Sequence, residues 1–239
     1  MDTKQEIRER IWDSLVEQKV ARFPGARGRI PNFIGAEKCA ELLRDLPEWQ
    51  NARVIKSNPD SPQRHIRWAA LKEGKIVYMA VPRLAEPKPF IELDPKKLGN
   101  KLYEASSIKG AFQLGRPVSL EKMKAIDLVV CGSVAVNRKG ARIGKGEGYS
   151  ELEFALLVTT GKLARNVPVL TSVHPIQVVD QTLDRKRHDF QVDIILTPEE
   201  IIRCAKDKKR PEGIYWDELP DEKRKAIPVL QKLFSKLYK

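Results

Sequence analysis

The run Asp127-Leu128-Val129-Val130-Cys131-Gly132 is apolar at both odd and even positions, so neither face of the strand it forms can meet water. Such a strand belongs in the middle of a parallel sheet covered on both sides. The segments around it alternate in period. Helical patterns occupy 36–46, 62–72 and 151–164, and β-type runs fall at 53–55, 75–81, 167–171 and 192–196. This order predicts an α/β fold, a mostly parallel sheet with helices on both faces and right-handed crossovers. After the last strand, Thr197 as N-cap with Pro198 at the first helical position predicts one more helix. Residues 82–117 carry Pro82, Pro87, Pro89 and Pro95 with little periodicity, and read as loops and short pieces over one face, a candidate substrate cover. The expected division is an α/β domain over 1–205 and a basic extension over 206–239 that packs on the body, with a helix after Pro228.

The first helix is expected over 4–20. Thr3 and Glu6 form a capping box, each satisfying an amide that the helix start leaves free. Ile7, Ile11, Trp12, Leu15 and Val16 fall on one stripe, and Lys4 and Arg8, one turn apart, fall inside it. Two cations on the buried side either snorkel to solvent or meet an anion.

The central strand leads to Gly144-Lys145-Gly146-Glu147-Gly148, after which Ser150 and Glu153 suggest a second capping box opening a helix. Alternating glycines let the backbone approach an oxyanion, and a helix start offers free amides at the positive end of its dipole. Arg142 and Lys145 add positive charge. The turn is neither a GxGxxG fingerprint nor a P-loop. Glu151 in the first helical turn suits the dipole, and is also placed to meet a magnesium ion held by phosphates.

Charge agrees with an anionic ligand without choosing one: 44 Lys and Arg stand against 32 Asp and Glu, a net +12 in 239 residues. Cys39, Cys131 and Cys204 are odd in number and form no CxxC, and His65, His174 and His188 are dispersed, so neither a disulfide framework nor a zinc site is expected. No apolar run approaches the ~20 residues that span a bilayer. A cytoplasmic protein with no membrane partner is the expectation, and the sequence assigns no oligomeric state.

Gly140-x-Arg142-Ile143-Gly144-x-Gly146-x-Gly148-Tyr149 resembles the GxRLGxGxGYYD signature of the 5-formyltetrahydrofolate cyclo-ligase family. Lys4-x-x-x-Arg8, Gly74-Lys75 with Val81-Pro82-Arg83, Ile126-Asp127-Leu128-Val129-Val130 and His188-Asp189-x-x-Val192-Asp193 resemble further motifs of that family, in the same order. Ser150 and Glu151 stand where the signature has tyrosine and aspartate, and this form is similar to a divergent branch, the synthetase-domain-containing proteins.

The resemblance implies a sheet of the sugar-isomerase and CoA-transferase type, and an ATP- and magnesium-dependent closure of 5-formyltetrahydrofolate to 5,10-methenyltetrahydrofolate. It implies that Lys4, Arg8, Arg142, Ile143, Gly144, Lys145, Gly146, Glu147, Gly148, Tyr149 and Ser150 bind ATP, with Arg142 and Lys145 in the catalytic role. Glu151 and Asp189 would ligate magnesium. Asp60 would stand in for an acidic residue on the folate side. A second reading stays open, a nucleotide- or RNA-binding regulatory protein on the same scaffold, favoured by the net charge and the basic tail 223–239.

Overall fold

The computed structural model describes residues 2–204 and 210–237, so the expected boundary at 205/206 lies outside the described residues. Eight strands form the main sheet: β1 (Val54–Ser57), β2 (Ile76–Ala80), β3 (Phe90–Leu93), β4 (Arg116–Val118), β5 (Leu128–Cys131), β6 (Val169–Ser172), β7 (Ile194–Leu196) and β8 (Ile201–Arg203). Their order is β8-β7-β6-β5-β1-β2-β3-β4. The five strands from β7 to β2 run parallel, and β8, β3 and β4 pair antiparallel at the two edges.

The fully apolar β5 lies among these parallel strands, and its period-2 alternation feeds two cores. Val129 and Cys131 join Tyr78, Phe90, Val169 and Ile195 on one face, against Phe154 and Leu156. Leu128 and Val130 join Ile55, Val77, Met79 and Leu170 on the other, against Leu43, Trp49 and Ile66. The helices that cover these faces include α2 (Ala36–Leu42), α3 (Arg64–Lys72), α4 (Ile108–Leu114) and α5 (Tyr149–Thr159).

Helix α1 (Lys4–Glu17) opens with the expected capping box, the Thr3 hydroxyl accepting from Glu6 N while the Glu6 carboxylate accepts from Thr3 N. It ends at Glu17, earlier than its apolar pattern suggests. Ile7, Ile11, Trp12 and Leu15 pack on a small second sheet made of Ala135–Asn137, Arg142–Ile143 and Val178–Val179. That sheet stands beyond the carboxyl end of β5, where open α/β sheets place their ligand crevices.

Two expectations are corrected. No helix follows Thr197: its Oγ1 accepts from Glu199 N and Glu200 N, as an N-cap would, but the chain turns back and Ile201–Arg203 pair with Ile194–Leu196. The β-branched Ile201 and Ile202 take the open edge of β7, and long-range pairing overrides the local helix signal. Residues 82–117 are also more ordered than a loop, containing β3, β4 and α4 together with the short helices Pro95–Leu98 and Leu102–Ala105. Their strands extend the sheet on one side.

The C-terminal segment holds two helices where one was expected, α6 (Asp221–Ala226) and α7 (Pro228–Leu237), broken at Ile227 before Pro228. Ile227, Val229 and Leu230 are buried in the first of the two main cores.

Candidate functional site

A cleft of about 510 Å³ opens at the carboxyl ends of β1, β2 and β5. Its walls include the start of α1 with Lys4 and Arg8; the Asn58-Pro59-Asp60 turn after β1; Ala80 to Arg83 after β2; the stretch from Arg142 to Glu153; and the turn holding Lys186, His188 and Asp189. Every residue singled out in the sequence for a nucleotide, metal or substrate therefore lines one cavity. Glu151 and Asp189, 38 positions apart, both face it.

The start of α1 is tied to the far side of the cleft. Lys4 Nζ lies 2.6 Å from Asp189 Oδ2, and Arg8 Nε donates to the Gly144 carbonyl at 2.7 Å. The two cations of the buried stripe do not snorkel away; they reach across the cavity. Burial pushes Arg8 below its usual range, with Glu151 and Asp189 acting in the opposite sense.

Arg142 is almost wholly buried and donates to Glu151 Oε1 at 2.8 Å, with its guanidinium 4.6 Å from the centre of the Phe190 ring. Burial by itself disfavours its charge, yet the carboxylates, Glu151 foremost, hold its pKa above the usual value. Its buried Nε has no hydrogen-bond partner among the described residues. Arg142 is thus a fixed, permanent cation at the base of the glycine-rich turn. Gly146 takes φ +106 and Gly148 φ +70, conformations that side chains rarely adopt, and a Cβ on Gly146 would come within 3.3 Å of Arg8 Cζ. The turn curls over Arg8 because these positions carry no side chain. Lys145 and Glu147, on its outer edge, are exposed and paired at 2.9 Å.

The expected second capping box does not form. Helix α5 starts two residues earlier, its N-cap is Gly148, and no side chain caps it. Ser150 instead accepts from Asn58 Nδ2 at 2.8 Å, and Glu153 is buried 2.5 Å from Lys56 Nζ, which also donates to Asn58 Oδ1 at 2.8 Å. A polar chain Glu153–Lys56–Asn58–Ser150 thus links strand β1 to the N-terminal end of α5. The uncapped amides at that end stay available to a ligand.

Asp60 sits opposite, its Oδ2 only 2.7 Å from where a Cβ on Gly132 would stand, so the glycine after β5 makes room for the carboxylate. Burial raises its pKa, while the Arg67 charge opposes the rise. Arg67, itself buried, donates to the carbonyls of Asn58, Pro59 and Asp60 and to that of Ser106, and so fixes this turn. Asp189 shows the opposite shift: burial pushes it up, but the Lys186 amide and the Lys4 ammonium more than offset this and hold it below the usual range. Of the two metal candidates, Arg142 engages Glu151 through Oε1 and Lys4 engages Asp189 through Oδ2. No cluster of three metal-ligating side chains occurs among the described residues. Two carboxylates fit magnesium, which keeps several waters and draws its other ligands from substrate phosphates.

Several residues of the site escaped the sequence reading. Arg29, Lys186, and Ile108 and Phe112 of α4 line the cleft, and Arg83 does so at φ +55. Glu153 reads in the sequence as half of a capping box, not as the partner of Lys56, whose charge lies within the short strand Val54–Ser57. Arg67 left no signal, because its partners are backbone carbonyls.

The profile of the 5-formyltetrahydrofolate cyclo-ligase family matches residues 1–198. The methenyltetrahydrofolate synthase domain-containing proteins of Mus musculus and Bos taurus are 42% and 41% identical over 97% of this chain. The chain spans 63% and 62% of their lengths. The solution structure of Aquifex aeolicus 5,10-methenyltetrahydrofolate synthetase is similar in fold, with a TM-score of 0.54 at 19% identity over 90% of this chain and 99% of that one. Among the described residues no helix is long and apolar enough to cross a membrane.

Proposed function

Because the chain belongs to the 5-formyltetrahydrofolate cyclo-ligase family, we propose that it catalyses the ATP- and magnesium-dependent conversion of 5-formyltetrahydrofolate to 5,10-methenyltetrahydrofolate. The formyl oxygen attacks the γ-phosphorus and displaces ADP. N10 then attacks the formyl carbon, losing its proton, and the C–O bond breaks to release phosphate. Magnesium, held by Glu151 and Asp189, would neutralise charge on the nucleotide phosphates.

The observation that carries this reading is the convergence of Lys4, Arg8 and Arg142 with the glycine-rich turn in one cleft. Phosphoryl transfer asks a protein for positioning and charge neutralisation, and these parts supply both. Arg142, buried and charged, faces the phosphates from below, and Lys145, exposed on the turn, closes on the transferred group. Loop amides from Gly144 to Ser150 cradle the phosphates. Asp60, Ile108 and Phe112 also line this cleft, and in this reading Asp60 would meet the folate while the apolar pair would flank its rings.

The test is the rise of methenyl-folate absorbance with 5-formyltetrahydrofolate, ATP and magnesium. Wild type should form product, with Lys145→Ala and Glu151→Ala each slower by about a hundred-fold. ATP binding without product would overturn the folate assignment. The alternative, a nucleotide- or RNA-binding regulatory protein, would then be examined through RNA affinity at two salt concentrations, because contacts along a backbone lose affinity steeply with salt. Two of the extension's cations are engaged within the protein, Arg224 with Asp221 and Lys232 with Glu121, which favours the enzyme reading.

A further inference from the structure

The residues matched by the family profile end at 198, yet the segment beyond them touches the cleft at two places. At the first, Asp217 holds Arg187 with both oxygens at 2.7 Å, Glu218 accepts from His188 Nδ1 at 2.9 Å, and Tyr215 lies under the Arg187 guanidinium at 4.0 Å. These contacts anchor the extension beside the turn that carries Asp189. At the second, α6 brings Lys223 onto the glycine-rich turn. Its ammonium donates to the Glu147 carbonyl and stands 4.7 Å from the centre of the Tyr149 ring. A Cβ on Gly148 would be 3.3 Å away, so the missing side chain lets the ammonium reach the loop backbone.

This lysine differs from its neighbours on the extension. Lys232 meets Glu121 and Arg224 meets Asp221, but among the described residues no carboxylate lies within ion-pair distance of Lys223 Nζ. Its partners are a neutral carbonyl and a ring face. Partial burial pulls its pKa down, and Glu151 and Glu147 act on it in the opposite sense, so it shares the field of the cleft. A half-buried cation beside three loop glycines, without an anion of its own, is placed to receive one.

We propose that Lys223 is a phosphate-binding residue of the nucleotide site, carried to the glycine-rich turn by the C-terminal extension, where it engages the outer phosphates of a nucleoside triphosphate. The inference rests on the reading of this turn as a nucleotide site, and goes beyond it by adding a ligand from outside the matched domain. On binding, the ammonium exchanges the Glu147 carbonyl for phosphate oxygens.

The experiment is displacement of trinitrophenyl-ATP from the full chain, without folate, by ATP, AMP and inorganic tripolyphosphate. Lys223→Gln should weaken ATP and tripolyphosphate about ten-fold and leave AMP unchanged. Lys223→Arg should keep most of the affinity, and Lys232→Gln, which removes the same charge elsewhere on the extension, should bind as wild type does. Unchanged ATP affinity in Lys223→Gln would overturn the inference and leave the nucleotide reading standing. Equal weakening of ATP and AMP would also overturn it, by showing a purely structural effect. A wild type that binds neither ATP nor tripolyphosphate would overturn both.

Discussion

Lys56 Nζ lies 2.5 Å from Glu153 Oε2, an ion pair between β1 and α5 that is 3% and 7% exposed at its two side chains. It fixes the end of α5 that presents the glycine-rich turn, and both charges are out of water. Removing one partner leaves the other buried and uncompensated, so Glu153→Leu should cost about 3–5 kcal/mol. The double replacement Lys56→Met with Glu153→Leu should recover most of that loss, because both desolvation costs vanish together. Urea unfolding of the three proteins measures this, and a single variant as stable as wild type would refute it.

Asp60 and Asp189 face the same cleft with pKa values shifted in opposite directions from 3.8. For Asp189, lowered in the folded state, the stabilisation is present above pH 3.8 and is lost as pH falls through the lower folded value. Asp189→Asn should therefore be less stable than wild type at pH 7, with the gap closing toward pH 2. For Asp60, raised in the folded state, the carboxylate costs stability once pH rises through the higher folded value. Asp60→Asn should accordingly be more stable than wild type at pH 7 and no different near pH 3. Thermal midpoints across pH 2–8 distinguish the two signs.

Gly146 holds φ +106 beneath the guanidinium of Arg8. Gly146→Ala should destabilise the fold by only about 1–2 kcal/mol, the cost of an L side chain in that region. Its effect on ATP affinity should be larger, because the new methyl, 3.3 Å from Arg8 Cζ, crowds the guanidinium that reaches the turn. Calorimetric titration alongside a thermal melt separates the two, and a fall in stability with unchanged affinity would count against a ligand role for the turn.

Arg67 donates to four carbonyls, three of them in the turn that positions Asp60. Arg67→Lys keeps the charge but cannot span that fork, and is expected to lose at least about 2 kcal/mol and to raise KM for the folate more than it lowers kcat. Arg67→Lys kinetics indistinguishable from wild type would show that the turn holds itself.

The α/β class, the parallel centre of the sheet and the glycine-rich turn were legible in the sequence because their signals are local. They rest on an apolar run, a period, a capping pair and glycines at alternate positions. The resemblance of motifs in order added Lys4, Arg8 and Asp189 to that turn. The failures share long-range pairing in different forms. Thr197 bonds locally as a cap would, accepting from Glu199 N and Glu200 N, but the chain beyond it pairs with β7 instead of continuing as a helix, while Ser150 and Glu153 are claimed by the distant Asn58 and Lys56. Strands β3 and β4 were read as loops because proline-rich segments show little periodicity, and it is sheet pairing that orders them, β3 on β2 and β4 on β3.

Sequence by itself determined which residues can bear charge near a phosphate and which backbone positions can curl without side chains. Only the tertiary structure decided that helix α1, the turn after β1 and the glycine-rich loop meet at one cleft, and that Asp217, Glu218 and Lys223 contact the segments bordering it. The physical reason is that an ion pair such as Lys4 with Asp189 joins residues 185 positions apart. No local pattern encodes that separation; the sheet's topology sets it, and the two cores that bury its faces hold it in place.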